Sequence, residues 1–253
     1  MTNLHEYRIT SPLASRIAVV TGASSGIGAA TARHLADAGA RVAVIGRRAD
    51  RIQALAEEIG GLAVVADINA DLERVAATVR AQLGRPDIVI ANAGVMLAAP
   101  FETAARSEWE SMIDTNVSGL LLTGRAFVDD LLAAARDGRP ADLVHVGSIA
   151  SHALIPTYSV YSATKAAVNV LTRGLRMELG PRGVRVRNVE PGLTGTELGA
   201  GMLDNDARRF LAQFRENLMA IPADDIAAAI TWSVSMPARM NIAEMIVLPT
   251  AQG

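Results

Sequence analysis

The chain has 253 residues, of which 50% are hydrophobic, with a formal net charge of −2 and no cysteine. This length and composition suit one large core, so we expect a single domain over residues 1–253. The small net charge offers no general attraction to nucleic acid or to anionic membranes. Without cysteine the chain has no disulfide or thiolate metal site, and its four histidines lack metal-ligand spacing, so no metal is predicted.

Residues 1–15, interpreted as an N-terminal extension, contain charged side chains and lack the apolar core of a signal peptide. No later run approaches the roughly 18 apolar residues that a membrane helix needs. We therefore expect a cytoplasmic protein with no membrane or nucleic-acid partner.

Short apolar runs typical of strands alternate with helical patterns along the chain. The runs are 17–20, 41–45, 62–66, 88–91, 143–146, 184–189 and 245–248. Such alternation predicts an α/β fold, in which right-handed helical crossovers join parallel strands into a doubly wound sheet.

A glycine-rich turn, Thr21-Gly-Ala-Ser-Ser-Gly-Ile-Gly28, follows the first predicted strand and opens a helical pattern. Glycines at such a turn let the backbone approach a phosphate at the helix N-terminus and let the helix pack closely. The spacing differs from the general Gly-x-Gly-x-x-Gly fingerprint, and a plain turn is the alternative interpretation. We predict a dinucleotide pyrophosphate site, with contacts at Gly22, Ser24, Ser25, Gly26, Ile27 and Gly28.

The end of the second predicted strand, Ile45-Gly46-Arg47-Arg48, bears on cofactor choice. NAD enzymes place a carboxylate in this neighbourhood to bind the ribose hydroxyls, and none is present here. Arg47 offers a planar cation for a 2′-phosphate, and Arg48 offers a second donor or a stacking plate over adenine. The predicted cofactor is NADP(H), and the alternative is two solvated surface charges.

Tyr161 and Lys165 form a second motif, Tyr161-Ser-Ala-Thr-Lys165, thirteen positions after Ser148. Residues i and i+4 share a helix face, so the ammonium can lie beneath the phenol and favour its ionised form. A free phenol has a pKa of about 10, and a fixed cation would bring it towards neutrality. The pair predicts a proton-transfer device, although an isolated Tyr-x-x-x-Lys also occurs on solvated helix faces.

Five motifs stand in the order found in the short-chain dehydrogenase/reductase family, which the chain resembles from residue 15 to its end. They are residues 21–28, Asn92-Ala-Gly94, Asn116, the set of Ser148 with Tyr161 and Lys165, and Pro191-Gly192. The resemblance implies a Rossmann-type, seven-stranded sheet in the order 3-2-1-4-5-6-7. It also implies a homotetramer, or a homodimer, assembled through the long helices that carry Asn116 and Tyr161.

The resemblance also implies roles for individual residues. Ser148 holds and polarises a carbonyl, Tyr161 is the general acid in reduction, and Lys165 lowers the tyrosine pKa and binds the nicotinamide ribose. Asn116 belongs to a water relay that feeds Lys165. Further cofactor contacts are implied for Asp67, Ile68, Asn92, Ala93, Gly94, Pro191, Gly192, Thr194 and Thr196.

Residues 197–220 are the least regular part of the sequence and, by family analogy, form a mobile lid over the substrate. Apolar side chains near the catalytic serine predict a pocket with few charges. The predicted substrate contacts are Ser148, His152, Tyr158, Met96, Leu193 and Met202. His152 is explained equally well as a loop histidine without a substrate role. We expect no unpaired arginine or lysine near Ser148 or Met96, which disfavours a small hydroxy acid.

The sequence therefore favours an NADPH-dependent carbonyl reductase for an apolar ketone or aldehyde, as used in bacterial secondary metabolism. Residues 190–192, 196–197 and 237–249 resemble a branch that includes 3-hydroxy acid dehydrogenases and clavulanate-type aldehyde reductases. An NADP-dependent dehydrogenase of small 3-hydroxy acids is the alternative. A sensor or scaffold that binds NADP(H) without turnover is a remote third hypothesis, disfavoured by the intact set of catalytic motifs.

Overall fold

Seven parallel strands form one sheet in the computed structural model, which describes residues 13–70 and 72–252. From edge to edge they are β3 (Leu62–Val65), β2 (Arg41–Gly46), β1 (Ile17–Thr21), β4 (Ile88–Ala91), β5 (Ala141–Val146), β6 (Val184–Pro191) and β9 (Glu244–Val247). The predicted strand order is confirmed, with β9 as the seventh predicted strand. Two short strands, β7 (Thr194–Gly195) and β8 (Ile221–Pro222), pair outside this sheet.

Both faces of the sheet are covered, because side chains alternate along each strand and helices pack on either side. In β1, Ala18 and Val20 enter one core and Val19 enters the other. A strand buried on both faces needs an unbroken apolar run, which is the pattern that the sequence shows.

Eight α-helices lie within the described residues. α1 (Gly26–Asp37), α2 (Ala49–Ile59) and α8 (Ala223–Ser235) supply one core, and α3 (Leu72–Gln82), α5 (Gly119–Arg136) and α6 (Ser159–Leu179) supply the other. A third, smaller cluster contains Met112 from α4 (Arg106–Ile113) and Leu211 from α7 (Asn205–Asn217), together with Tyr161. Within the described ranges, every helix is too short or too polar to cross a bilayer.

The predicted lid, residues 197–220, is more regular than its sequence suggests. Its second half forms α7, whose N-terminus is capped by the Asp204 carboxylate, which accepts a 2.7 Å hydrogen bond from the Ala207 backbone. Ala207 and Leu211 are buried beneath the helix, one turn apart. The predicted N-terminal extension falls outside the described residues as far as residue 12, and Leu13 at its end is buried.

The carboxyl ends of the strands meet at one edge of the sheet and open into a cleft with a volume of about 510 Å³. Because β1, β4, β5 and β6 lie side by side there, the loops that follow them line a common space. In a doubly wound sheet this edge is where ligands bind.

Candidate active site

The glycine turn after β1 is shaped by close backbone packing. Gly22 has a φ of +67°, and a Cβ there would lie 2.7 Å from the Cα of Ala93. A Cβ on Gly28 would lie 2.5 Å from the Gly22 carbonyl oxygen, so side chains are excluded at both positions. This geometry fits the prediction that the backbone itself faces a phosphate.

Thr21 and Asn92 tie the turn to the neighbouring strand end. The Thr21 hydroxyl accepts a 3.1 Å hydrogen bond from the Asn92 backbone, and the Asn92 side chain donates to the Thr21 carbonyl at 3.0 Å. Asn92 therefore positions the glycine turn as well as lining the cleft. Sequence analysis assigned Thr21 no contact of its own.

Three arginines surround the far end of the cleft, beyond the glycine turn. Arg48 donates to the hydroxyls of Ser24 and Ser25, at 2.8 and 2.6 Å, and to the Glu197 carboxylate at 2.6 Å. Arg51 donates to the same carboxylate, and these two partners lower the pKa of Glu197 to about 2. Sequence analysis gave Arg51 no role and used Glu197 only in a branch motif and as the start of the predicted lid, since 146 positions separate the two residues.

Arg47 lies at the rim of the cleft with its side chain 71% exposed, and the nearest carboxylate oxygen, of Asp67, is 3.8 Å away. Although Arg47 forms this long ion pair, its guanidinium is mostly exposed and can meet an anion from solvent. Together, Arg47, the glycines of the turn and the N-terminus of α1 can bind the phosphates of a dinucleotide. All predicted cofactor contacts except Gly28 line this cleft, and Gly28 packs beneath the turn.

Tyr161, Ser148 and Lys165 line the same cleft at its other end. Burial raises the pKa of the Tyr161 phenol to about 12, opposed by a hydrogen bond with Ser148. The protein alone therefore does not show the expected lowering of this pKa, because desolvation of the phenolate outweighs the stabilising contacts; the catalytic role of Lys165 stays a prediction. The lysine ammonium lies 5.8 Å from the centre of the tyrosine ring.

Lys165 is buried and donates a 2.9 Å hydrogen bond to the carbonyl of Val146, the last residue of β5. Burial lowers the pKa of its ammonium to about 8. A Cβ on Gly94 would lie 3.7 Å from this nitrogen and 3.2 Å from the Asn116 side-chain oxygen. Glycine at position 94 thus keeps the space between the lysine and the asparagine open.

Asn116 lies in a π-helical turn, Asp114–Ser118, between α4 and α5. Its side chain accepts from the Val95 backbone at 2.8 Å and donates to the Val95 carbonyl at 2.9 Å and to the Thr164 hydroxyl at 3.0 Å. It joins the loop after β4 to α6, but it is buried and does not itself line the cleft. The water relay assigned to it stays a prediction.

These features agree with comparisons to known proteins. A family model described as short chain dehydrogenase matches residues 16–207. The chain belongs to this family. It is accordingly an oxidoreductase acting on CH–OH groups.

Individual relatives are similar over nearly the whole chain. The NADP-dependent 3-hydroxy acid dehydrogenase YdfG of Salmonella typhi is 34% identical over 242 residues, which cover 93% of this chain and 96% of that protein. The closed form of serine dehydrogenase complexed with NADP⁺ is 32% identical with a TM-score of 0.86, covering 94% of this chain and 96% of that one. A metagenomic short-chain oxidoreductase in complex with NADP is 32% identical with a TM-score of 0.78, covering 95% and 100%.

The substrate end of this short-chain dehydrogenase is apolar along much of its wall. Of the predicted substrate contacts, Ser148, Tyr158, Met96 and Leu193 line the cleft. The predicted lid adds Phe210 and Phe214, whose ring centroids lie 5.6 Å apart in a stacked arrangement, and which were not among the predicted substrate contacts.

Two predicted substrate contacts lie elsewhere. Met202 is 2% exposed and is packed in the cluster behind the cleft wall, with Met96 in front of it. His152 does not line the cleft; its Nε2 lies 2.8 Å from the Glu190 carboxylate. Both predicted contacts are therefore wrong. Met202 is packed behind the cleft wall, and a short helical turn after Ser148 directs His152 away from the cleft.

The Glu190 carboxylate is 1% exposed and lies behind the Ser148 turn. It accepts hydrogen bonds from the side chains of Asn169 and Asn188, both at 2.7 Å, and from the Ser151 hydroxyl at 3.1 Å. This network links the turn that follows Ser148 to α6 and to the end of β6. Sequence analysis used Glu190 only as part of a branch motif.

The expectation that no unpaired cation lies near the pocket is also wrong. Arg215 of α7 lines the cleft together with Tyr158 and Tyr161. Its position in the sequence, 54 residues after Tyr161, gives no sign of this proximity. The helix that folds back over the site brings it there.

Proposed function

We propose that this protein is an NADPH-dependent carbonyl reductase that transfers hydride to a ketone or aldehyde with an apolar body, and that oxidises the matching alcohol in reverse. The observation that carries the proposal is the convergence of Ser148, Tyr161 and Lys165 in one cleft with a largely apolar wall. A buried phenol beside an apolar chamber suits proton delivery to a carbonyl oxygen that is shielded from water.

NADP(H) is the proposed cofactor, because the ribose end of the cleft carries cations. Arg47 is positioned to bind a 2′-phosphate; Arg48 lines the cleft beside it, and Arg51 holds the Glu197 carboxylate there. Similar proteins point the same way: two of the solved structures described above contain NADP, and the Salmonella typhi relative is named NADP-dependent. When bound, NADPH supplies the hydride.

The chain's own residues handle the carbonyl oxygen. The Ser148 hydroxyl is positioned to donate to that oxygen and polarise the bond, and the Tyr161 hydroxyl delivers the proton as negative charge develops. With a pKa of about 12, the phenol is fully protonated at neutral pH and ready to act as an acid. Lys165 is positioned to hold the nicotinamide ribose. Asn116 fixes the loop at Val95 against α6 through its hydrogen bonds to Val95 and Thr164.

We propose a cytoplasmic homotetramer or homodimer whose partner is a small molecule. Exposed apolar residues on the long helices support an assembly of this kind: Val170 and Met177 on α6, and Leu121 and Leu122 on α5. Closed symmetry would bury these residues against their copies.

A second candidate, an NADP-dependent dehydrogenase of small 3-hydroxy acids, is favoured by one observation: Arg215 supplies the cation that such a substrate needs. The printed name of the Salmonella typhi relative agrees with it. Both candidates use the same catalytic residues and differ in the substrate end of the cleft.

The test is NADPH consumption against apolar ketones, aldehydes and oxo acids, with NADH in parallel. We expect turnover with NADPH and a loss of at least about 100-fold in Tyr161→Phe, as for removal of a general acid. NADPH binding by the Tyr161→Phe protein, followed by fluorescence, shows that the variant is folded. Tight NADPH binding without turnover of any carbonyl would contradict the proposal and favour a sensor.

A further inference from the structure

Arg215 projects from α7 into the wall of the cleft that contains Tyr161. One terminal nitrogen donates a 2.7 Å hydrogen bond to the Leu198 carbonyl, which fixes the side chain against the first turn of the lid. Its Nε is buried and has no hydrogen-bond partner. A guanidinium carries five N–H donors, so most of this group's capacity remains available.

The charge on Arg215 is not neutralised by the protein. In the described part of the chain, no aspartate or glutamate forms an ion pair with it, and burial lowers its pKa. Arg209, on the same helix, behaves differently: it forms an ion pair with Asp206 out in solvent. A half-buried cation without a counter-charge is costly unless a ligand supplies the anion.

Tyr158 gives a second, independent indication that this place binds a ligand. Its side chain is 5% exposed and lines the cleft, yet its hydroxyl is buried without a hydrogen-bond partner. Tyr158 and Arg215 are close enough that each shifts the pKa of the other. Two residues with unpaired donors, one of them cationic, thus lie together in the same part of the cleft wall.

We propose that Arg215 and Tyr158 form a subsite for a carboxylate carried by the substrate, on the lid side of the reacting carbonyl. This inference rests on the proposed function and narrows its substrate class to oxo acids, or hydroxy acids in reverse, with an apolar segment against Phe210 and Phe214. Guanidinium and phenol donors together match the two oxygens of a carboxylate. Reduction adds a hydride from NADPH to carbon and a proton from Tyr161 to oxygen, and leaves the carboxylate unchanged.

The test uses matched substrates that differ only in charge. Straight-chain oxo acids, with one, two or three methylene groups between ketone and carboxylate, are each compared with the methyl ester. We expect the wild type to prefer the best acid over its ester, and Arg215→Gln to lower kcat/KM for that acid by about 10- to 100-fold, as for loss of a charged hydrogen bond. The ester should change less than about 3-fold, and Arg215→Lys should recover part of the acid activity.

Arg209→Gln is the control, because it removes the same charge from the exposed side of the same helix. Equal losses for acid and ester in Arg215→Gln would overturn the proposal and show that the arginine only holds the lid. A wild-type preference for every ester would overturn it too, while leaving the proposed reductase function intact.

A turnover-independent readout separates the two proposals. Calorimetric binding of the oxo acids to the NADP⁺ complex should be detectable for the wild type and lost in Arg215→Gln. Binding of the oxo acid that depends on Arg215, without any turnover, would contradict the proposed reductase function and leave the carboxylate subsite standing. Absence of acid binding in the wild type would sink the subsite.

Discussion

One nitrogen of Arg51 donates to both carboxylate oxygens of Glu197, at 2.7 and 2.9 Å. Arg51 lies on α2, beside the ribose end of the cleft, and Glu197 is the first residue of the lid. Arg48 holds the same carboxylate and, through Ser24 and Ser25, the glycine turn. The ion pairs therefore connect three segments that surround the cofactor cleft, and we call them the Glu197 latch.

Glu197→Gln should loosen the latch and speed release of NADPH. The three side chains are about half exposed, so solvent screens the ion pairs, and we expect a change in dissociation rate of only about 2- to 5-fold. Stopped-flow displacement of NADPH measures it, with Glu216→Gln on the exposed side of α7 as the control. Slower release would mean that the carboxylate competes with the cofactor's phosphate for the arginines.

Alcohol oxidation should accelerate with pH, while carbonyl reduction should not. Oxidation needs the phenolate of Tyr161 as the base, and a pKa raised to about 12 by burial leaves little phenolate at neutral pH. As long as the pH stays below that pKa, each increase of one pH unit raises the phenolate fraction about tenfold. We expect kcat/KM for oxidation to climb from about pH 6 to about pH 10. A plateau from neutral pH upward would show instead that the bound cofactor and Lys165 bring the phenol pKa down.

Lys165→Met should stabilise the protein while abolishing its activity. Burial lowers the lysine pKa from 10.5 to about 8, so the unfolded chain holds the proton more strongly between these values. Stability of the wild type therefore rises with pH through this window, and the cost of burying the ammonium is complete below about pH 8. We expect a gain of about 1–3 kcal/mol in unfolding free energy for the variant at neutral pH.

Urea unfolding at neutral and alkaline pH measures this gain. The advantage of Lys165→Met should shrink as the pH rises from about 8 past 10.5, because the wild-type lysine is neutral in both states only above its unfolded pKa of 10.5. A gain that is independent of pH would point to packing around the methionine rather than to charge.

Local patterns in the sequence predicted the sheet and the chemistry of its edge. Strand β1 is an unbroken apolar run because helices cover both of its faces. The glycine turn that follows it is typical of a phosphate-binding site. Tyr161 and Lys165 share a helix face at a fixed spacing, so their proximity follows from helix geometry alone. Such features need no knowledge of distant segments.

Contacts between distant segments were beyond the sequence. Arg215 reaches the cleft only because α7 forms and folds across it, and Glu197 meets Arg51 only because β6 returns the chain to the edge of the sheet. The wrong assignment of His152 has a local cause, not a distant one. Its position in the sequence is right for the substrate, but one short helical turn points its ring to the buried Glu190.

Glu190→Ala and Glu190→Gln should differ sharply in effect. Alanine leaves the buried amide groups of Asn169 and Asn188 without their hydrogen-bond acceptor. This loss should lower the free energy of unfolding by about 1–3 kcal/mol and loosen the turn after Ser148. Because Glu190 acts through that turn, we expect kcat to fall by about 10-fold with less change in the KM for NADPH.

Glutamine can keep the network with one adjustment. Its carbonyl oxygen takes the place of Oε1 and accepts from both asparagines, while its amide faces the Nε2 of His152. The histidine then accepts there, by carrying its proton on Nδ1. Glu190→Gln should therefore stay close to wild type in both urea unfolding and kcat. If it proved as damaging as alanine, the negative charge itself, and not its hydrogen-bond acceptors, would be what holds the Ser148 turn.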